Sequence, residues 1–348
     1  MNENIALTPY FDDFITYYFK ARILQNECNL GGKPYLESVG DDLMEQVTIF
    51  DTVERQHAGF QNMLQDLWHG SRAPKYYKQS EYKQMITRSY NLQHALWGRT
   101  EWLFVFMLHR ITGSGASFEA DHGYRNTILP KIATMKTITE IVAFLKDYKT
   151  PMFTSIGNQI PMFPKPANGY AKGSKLFLCE HMEDLVRDTW RYIAQVNMLR
   201  KATIREIVDF MCEWNRERGM KRFHFQYTAT AADLADYYPE FVEADSHMYY
   251  GKNAKESMDM MANKIGRYKK DRFYDFVMEE AMKRTDGAPR DLEDVMCDYI
   301  RYIENYIPSS KQGTYDHLDR TKVWNTSVIA DHPKGRQEWM LNTESWSW

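Results

Sequence analysis

Apolar residues recur every three or four positions through several long stretches of the sequence, which is the spacing of a buried helix face. The clearest of these stretches follows Thr203 and Glu206, whose spacing is that of a helix capping box. Glycine and proline number only 18 and 12 among 348 residues, which disfavours a barrel or sandwich of many short strands. The sequence therefore predicts an all-α fold.

Breaks in the helical spacing locate the individual helices. Gly219 and Pro239 end two adjacent stretches, so residues 203–237 are predicted to form two helices joined by a short turn, a helix-hairpin-helix-like element. Further helices are predicted over residues 10–24, 41–68, 80–111 and 291–306.

Proline and glycine gather between residues 151 and 175, in a composition that sustains neither a helix nor a central strand. We interpret this segment as an irregular central loop, either a long ordered loop or an irregular hairpin. The predicted organisation is an N-terminal helical half over 1–150, the loop over 151–175, a C-terminal helical half over 176–308 and a polar tail over 309–348.

Charge and cysteine content set broad limits on the kind of protein. The net charge of −3 gives no global signature of a nucleic-acid binder, so any basic surface is local. The four cysteines lack the spacing of a disulfide framework or a zinc site. The longest apolar run, Trp102 to Leu108, falls far short of the about 20 residues of a membrane span, and the N-terminus does not resemble a signal peptide. We expect a soluble cytoplasmic protein.

The sequence contains no Walker loop, no GxSxG elbow and no HExxH helix. A kinase that binds its own nucleotide is therefore disfavoured. The ten histidines lack the spacing of metal ligands, and His94 and His109 are expected to be core or groove residues of an aromatic helix.

Three groups of basic residues offer local surfaces for DNA. The segment 72–90 alternates cations with tyrosines, which combines phosphate contacts with stacking planes, although a solvated helix face explains it equally well. A group over 264–272 is more readily ordinary surface. The third lies at the turn of the helical hairpin, where arginine side chains and backbone N–H groups are predicted to bind phosphate. The predicted DNA contacts are Arg72, Lys75, Lys78, Lys83, Arg88, Arg218, Lys221 and Arg222.

Acidic side chains inside apolar stretches need either a partner or a chemical task. Asp233 lies on the second hairpin helix, and Glu293 and Asp298 lie on the last helix. Helical spacing places Asp298 on one face with Asp294 rather than with Glu293. Capping of the last helix is the alternative explanation for its first acidic residues, and it accounts less well for Asp298.

The run from Leu292 to Tyr302 resembles the E-x-x-L-C-E-x-x-K-Y signature of the α-glutamyl/putrescinyl thymine pyrophosphorylases, an all-helical family of phage DNA-modifying proteins. Glu293, Cys297 and Tyr302 match the signature, while Asp298 and Arg301 are conservative replacements. Weaker similarities fall at residues 14–22, 104–110, 223–234 and 251–254, so the resemblance spans about residues 10 to 306 in order.

The resemblance implies a helical bundle like that of helix-hairpin-helix DNA glycosylases. It also implies a transferase that acts in the infected bacterial host on double-stranded phage DNA. In that reaction, 5-pyrophosphoryloxymethyl-uracil loses pyrophosphate while an amine, such as that of glycine, serine or a polyamine, attaches to the exocyclic carbon. The base would be extruded into a pocket, cations would meet the pyrophosphate with or without Mg²⁺, and a carboxylate or histidine would deprotonate the amine.

These demands assign roles to the residues that the resemblance covers. Asp233 is predicted to act as the base or as a cation-stabilising carboxylate, while Glu293 and Asp298 hold the amino group or a metal ion. The predicted substrate-binding residues are Arg22, Arg110, Lys252 and Lys255 for the pyrophosphate or the strand, together with His224, Gln226, Tyr227, Arg301 and Tyr302.

Two other functions remain open from the sequence. A glycosylase of the same fold would cleave a modified base and share Asp233, although the hairpin here has the single glycine Gly219 where such enzymes commonly have several. A non-catalytic DNA-binding phage protein would keep the helices without the chemistry. The amine donor, the base context and the need for Mg²⁺ are not fixed by the sequence.

Overall fold

The computed structural model describes residues 4–29, 68, 97–111, 129–147, 176–220, 222–265 and 270–306. Most of these residues lie in helices, in agreement with the predicted all-α class. The predicted loop over 151–175, the tail over 309–348 and the basic segment 72–90 lie outside the described residues, as does all but Trp68 of the predicted helix over 41–68.

Contacts divide the described residues into two units, with a boundary at Tyr250. Unit 1 comprises residues 4–29 and the described residues from Tyr250 onward. Unit 2 comprises the described residues between Trp68 and Tyr249. The predicted division into halves on either side of the 151–175 loop stays a prediction.

Unit 1 contains helices and one strand pair. Strand β1 (Asn4–Leu7) pairs antiparallel with β4 (Ala262–Ile265), so that Asn4 lies opposite Ile265 and Leu7 opposite Ala262. This strand pair was not predicted, because its partners are far apart in the sequence. The helices are α1 (Pro9–Asn29), α8 (Lys252–Met261), α9 (Lys270–Arg284) and α10 (Pro289–Tyr306).

The core of unit 1 is aromatic where α1 meets α10. Phe14 and Tyr17 lie on α1 with their rings 5.6 and 5.4 Å from the ring of Tyr299 on α10. All three side chains are fully buried. Helix α1 was predicted over 10–24 and α10 over 291–306; both exist, and their observed bounds are slightly longer.

Unit 2 is built around α2 (Arg99–Ile111), whose residues from Trp102 to His109 are all buried. The predicted helix over 80–111 is wrong at residues 97 and 98, which are described and not helical. The carbonyl of Gly98 instead accepts a hydrogen bond from the N–H of Trp102, and helix α2 begins at Arg99. The other helices before the hairpin are α3 (Leu129–Ile132), α4 (Ile138–Asp147) and α5 (Met182–Asn197).

The predicted helical hairpin of unit 2 is present. Helix α6 (Ile204–Glu217) begins at the predicted capping box: the Thr203 hydroxyl accepts from the Glu206 N–H, and the Glu206 carboxylate accepts from the Thr203 N–H. Helix α7 (His224–Tyr237) follows and packs against both α6 and α2. The short strands β2 (Ala202–Thr203) and β3 (Val242–Glu243) pair in parallel at the other end of the hairpin.

None of the helices within the described ranges combines the length and apolar character needed to cross a lipid bilayer.

Candidate functional site

A buried ion pair joins α2 and α7 inside unit 2. The Nε and Nη2 atoms of Arg110 donate to Oδ2 and Oδ1 of Asp233 at 2.6 and 2.5 Å, a two-pronged contact. The Asp233 side chain is fully buried and that of Arg110 is 12% exposed. A charge so far from water is stable only with a close partner, and the planar guanidinium fits both carboxylate oxygens. The structure thus brings together two of the residues that the sequence predicted for one site.

Helix α7 carries further polar groups on its buried side. The side chains of Gln226, Thr228 and Thr230 are almost completely buried, and the Thr230 hydroxyl donates to the carbonyl of Gln226 at 2.8 Å. The Nε2 group of Gln226 makes no hydrogen bond to any described residue. Buried donors are usually satisfied, so Gln226 is a candidate for contact with a bound group.

Tyr227 lies beside Gln226 and is completely enclosed. Burial raises the pKa of its phenol well above the ordinary value of 10, so the hydroxyl is neutral at physiological pH. The side chain can therefore offer a hydrogen bond or an aromatic face, but no negative charge. The predicted role of Tyr227 in holding a base stays a prediction.

His224, in contrast, is exposed at the first turn of α7. Its ring lies 5.0 Å from the ring of Tyr249, over which the guanidinium of Arg205 is placed at 5.6 Å. The Tyr249 hydroxyl donates to Asp209 at 2.6 Å. The sequence reasoning missed this surface cluster, because its members come from three segments that only the tertiary fold brings together.

The turn between α6 and α7 is basic but its first N–H groups are already engaged. The N–H groups of Arg218 and Met220 donate to the carbonyl of Asn215, and that of Gly219 donates to the carbonyl of Arg216. The prediction that backbone N–H groups of this turn bind phosphate is therefore wrong for residues 218–220.

The arginines of this turn also have intramolecular contacts. Arg216 pairs with Glu213, and the guanidinium of Arg218 lies 3.6 Å from the centre of the Trp214 ring. Arg222 is exposed, while Lys221 lies outside the described residues. Contact of Arg218, Lys221 and Arg222 with DNA stays a prediction.

The two predicted carboxylates of unit 1 are both buried on α10. Oε1 of Glu293 accepts from the N–H of Gly251 at 2.8 Å, the residue that precedes α8. Glu293 thus satisfies a backbone donor at the start of a helix, which is a structural task. Asp298 is 2% exposed, and the amide Nδ2 of Asn253 approaches the Sγ of neighbouring Cys297 at 3.5 Å.

The predicted cations of unit 1 have different surroundings. Arg22 contacts Asp286 at 2.8 Å and the hydroxyl of Tyr18 at 3.3 Å. Lys252 is exposed, whereas Lys255 is half-buried with its Nζ 5.6 Å from the centre of the Tyr274 ring. Arg301 and Tyr302 lie in α10, and their side chains are outside the described part of the structure.

The predicted site residues therefore fall in both units. Unit 2 holds Arg110, Asp233, His224, Gln226 and Tyr227, and unit 1 holds Arg22, Lys252, Lys255, Glu293, Asp298, Arg301 and Tyr302. Their predicted gathering around one extruded nucleotide stays a prediction. Among the described side chains, no group of three or more His, Cys, Asp and Glu residues could hold a metal ion.

The fold and this geometry define a mostly helical protein with a buried Arg–Asp pair. No protein-family model, curated protein or solved structure matched the chain. The resemblance to the thymine pyrophosphorylases therefore rests on the signature at residues 292–302 and on the weaker sequence similarities elsewhere in the chain.

Proposed function

We propose that the protein is a DNA-modifying transferase that replaces the pyrophosphate of 5-pyrophosphoryloxymethyl-deoxyuridine with an amine, such as that of an amino acid. The observation that carries the proposal is the fully buried Asp233 carboxylate held by two nitrogens of Arg110. Buried charges that converge from separate helices are common where an enzyme stabilises charge in a reaction. The chemistry implied by the resemblance develops charge of both signs.

The reaction breaks the bond between the exocyclic carbon and the pyrophosphate oxygen, and the electron pair leaves with pyrophosphate. The carbon becomes electron-poor and forms a bond to the amine nitrogen, which then loses a proton. A carboxylate near the carbon stabilises the positive charge that develops there, and a guanidinium near the oxygen stabilises the negative charge of the departing pyrophosphate. Asp233 and Arg110 supply this combination of charges in one contact.

The hydrogen bonds favour one of the two roles predicted for Asp233. Both of its oxygens already accept from Arg110, and a carboxylate in an ion pair is a weak proton acceptor. We therefore assign Asp233 to electrostatic stabilisation of the electron-poor carbon and of Arg110. Deprotonation of the amine then falls to another carboxylate or to a histidine.

Neighbouring residues on α7 would bind the extruded base. Gln226 has a buried amide N–H₂ group without a partner among the described residues, and a uracil ring offers carbonyl oxygens to such a donor. The neutral phenol of Tyr227 lies next to it in the sequence. Glu293 and Asp298 keep the proposed task of holding the amino group or a metal ion.

The proposal is tested with duplex DNA that contains 5-pyrophosphoryloxymethyl-uracil and isotopically labelled amino acids or putrescine. Mass spectrometry of the digested nucleosides should show a labelled aminomethyl-uracil product and released pyrophosphate. Abasic sites would instead identify a glycosylase, and unchanged DNA that remains bound would identify a non-catalytic binding protein. Either of these results would overturn the proposed transfer.

Asp233→Asn should lower the rate of transfer by about 100-fold or more, because it removes charge stabilisation from the reacting centre. The change also removes the negative charge that faces the largely buried Arg110, which costs roughly 3–5 kcal/mol of folding stability. Thermal unfolding must therefore be measured for every variant. Asp188→Asn is a matched control, since Asp188 accepts from Trp214 in the same unit without a predicted task.

A double change separates stability from catalysis. Arg110→Leu with Asp233→Leu replaces the buried pair by apolar groups, a kind of exchange that is often neutral for stability. We expect a folded protein that lacks transfer activity. A double variant that still transfers the amine at the wild-type rate would remove this pair from the mechanism.

A further inference from the structure

Two large apolar side chains project into solvent at the turn between α5 and β2. Met198 is 83% exposed and Leu199 is 93% exposed. The next most exposed large apolar side chain among the described residues is Phe225, at 57%. Because exposure of adjacent large apolar groups is unfavourable in water, this pair is a candidate for contact with a partner.

The backbone of the turn that carries Met198 and Leu199, here called the tip, is held by several hydrogen bonds. The N–H of Met198 donates to the carbonyl of Gln195, and those of Leu199 and Arg200 both donate to the carbonyl of Val196. The amide of Asn197 donates to the carbonyls of Ile193 and Phe241, each at 2.9 Å. The two side chains are thus carried on a turn with a defined conformation, so little ordering is needed when they meet a partner.

The same contacts tie the tip to the helix that carries Asp233. Phe241 follows α7, and its N–H donates to the carbonyl of Tyr238, whose own N–H donates to Leu234 on α7. Asp233 lies five residues before Tyr238, which is about 7.5 Å along a helix axis. The tip, α7 and Asp233 all belong to unit 2.

The surroundings of the tip indicate the kind of partner. Two side chains supply only a small part of the about 800 Å² that each partner of a stable protein pair buries. The next residues are the cations Arg200 and Lys201; Arg200 pairs with Glu206, and Lys201 is exposed. A narrow apolar projection beside a cation fits the gap between two base pairs next to a phosphate.

We propose that Met198 and Leu199 form a wedge that enters duplex DNA between neighbouring bases and holds open the space left by the extruded nucleotide. The inference rests on the proposed function, since it supplies the unstacking that a modified base in a duplex requires. Apolar side chains such as Met and Leu, when inserted between base steps, partially unstack them and kink the duplex. Lys201 would contact the adjacent phosphate.

The test compares two substrates with the same modified base, one in a duplex and the other in a single-stranded oligonucleotide. The variant is Met198→Ser with Leu199→Ser, which leaves the fold intact because both side chains are exposed. We expect the variant to lose at least 10-fold in transfer to the duplex and to match the wild type on the single strand. Leu176→Ser is the control, a 38% exposed leucine of the same unit that should change neither rate.

A second measurement is independent of transfer. The fluorescence of a 2-aminopurine placed beside the modified base should increase (brighten) when the wild-type protein binds the duplex and unstacks the bases. With the variant, the fluorescence should stay low. Brightening without transfer would support the wedge and contradict the proposed reaction. Equal brightening by both proteins, none by either, or an equal loss of transfer on both substrates would overturn the wedge. Loss of self-association in the variant, with unchanged brightening, would assign the tip to protein contact instead.

Discussion

At the scale of single residues, the Arg110–Asp233 pair and the Glu206 contacts illustrate two uses of charge. The first pair is buried, so removing one partner takes away a close opposite charge that the surrounding water cannot replace. Glu206 is partly exposed, and its carboxylate accepts from Arg200 and from the N–H and hydroxyl of Thr203. The first arrangement neutralises two charges in the interior, and the second fixes the start of a helix.

The contacts of Glu206 predict a dependence of stability on pH. The hydrogen bond from Arg200, aided by those from Thr203, lowers the pKa of Glu206 from 4.5 to about 2. Because the folded pKa lies below the unfolded value, this stabilisation is complete above pH 4.5 and is lost as the pH falls towards 2.

Glu206→Gln should therefore be less stable than the wild type at neutral pH, and the difference should shrink as the pH falls through that range. Urea unfolding at a series of pH values measures it. Glu217→Gln is the control, because Glu217 is 3.9 Å from Arg218 in an exposed pair and should show little effect. A constant difference between wild type and Glu206→Gln across the range would contradict the assignment.

Sequence spacing could locate Glu206 but not the partner of Asp233. The capping box spans four residues, so its geometry follows from the local sequence. Asp233 stood out as an acid within a small apolar stretch, which indicated that it has a partner or a task. Its contact with Arg110 joins residues 123 positions apart and depends on how α2 and α7 pack, which no local pattern records.

At the scale of elements, the hairpin of α6 and α7 depends on a single backbone conformation. Gly219 has φ of 69°, in the left-handed region that glycine adopts without strain. Its N–H donates a hydrogen bond to the carbonyl of Arg216. The backbone dihedral angle and this hydrogen bond together define the turn. The sequence predicted this break correctly because glycine after a helix has a known geometric reason.

Replacing this glycine should weaken unit 2 by a defined amount. Gly219→Ala is expected to cost about 1–2 kcal/mol, because an L side chain in the left-handed region is strained. Gly219→Asn should cost less, since asparagine tolerates that conformation better. Chemical denaturation of the two variants measures the difference, and equal stability of alanine and glycine at this position would contradict the strain.

The strands could not be predicted from the sequence, in contrast to several of the helices. Strand β1 has only four residues and pairs with a segment more than 250 positions away, so neither length nor periodicity marks it. The helices have their hydrogen bonds within one segment and a repeating apolar face, and five of the ten described ones, α1, α2, α6, α7 and α10, were predicted for that reason. Helices α3, α4, α5, α8 and α9 were not predicted.

The β1–β4 pair can be tested by proline substitution, because N–H groups alternate in direction along a strand. The N–H of Thr8 donates to the carbonyl of Met261, so the N–H of Ala6 points to the same partner and that of Ile5 points away. Ala6→Pro should remove a bond of the ladder and speed hydrogen exchange at residues 262–265, while Ile5→Pro should have a smaller effect. Similar exchange in both variants would contradict the observed register.

At the scale of the whole molecule, the described residues form two units whose composition differs along the chain. Unit 2 is made from described residues within one stretch, 68–249, while unit 1 combines residues 4–29 with those after Tyr250. The predicted catalytic residues are distributed over both units. The proline-rich segment at 151–175 marked a change in composition, and local composition does not record which distant segments pack together.

The pairing of β4 with β1, two strands that are far apart in the sequence, has a consequence for synthesis on the ribosome. Residues 4–7 emerge on the order of 10–50 seconds before residues 262–265, at ordinary rates of translation. The described residues of unit 2 are all synthesised during this interval, whereas β1 has no partner strand until β4 emerges. Until then its hydrogen-bonding groups are accessible, which makes this segment a natural place for a chaperone to bind the growing polypeptide.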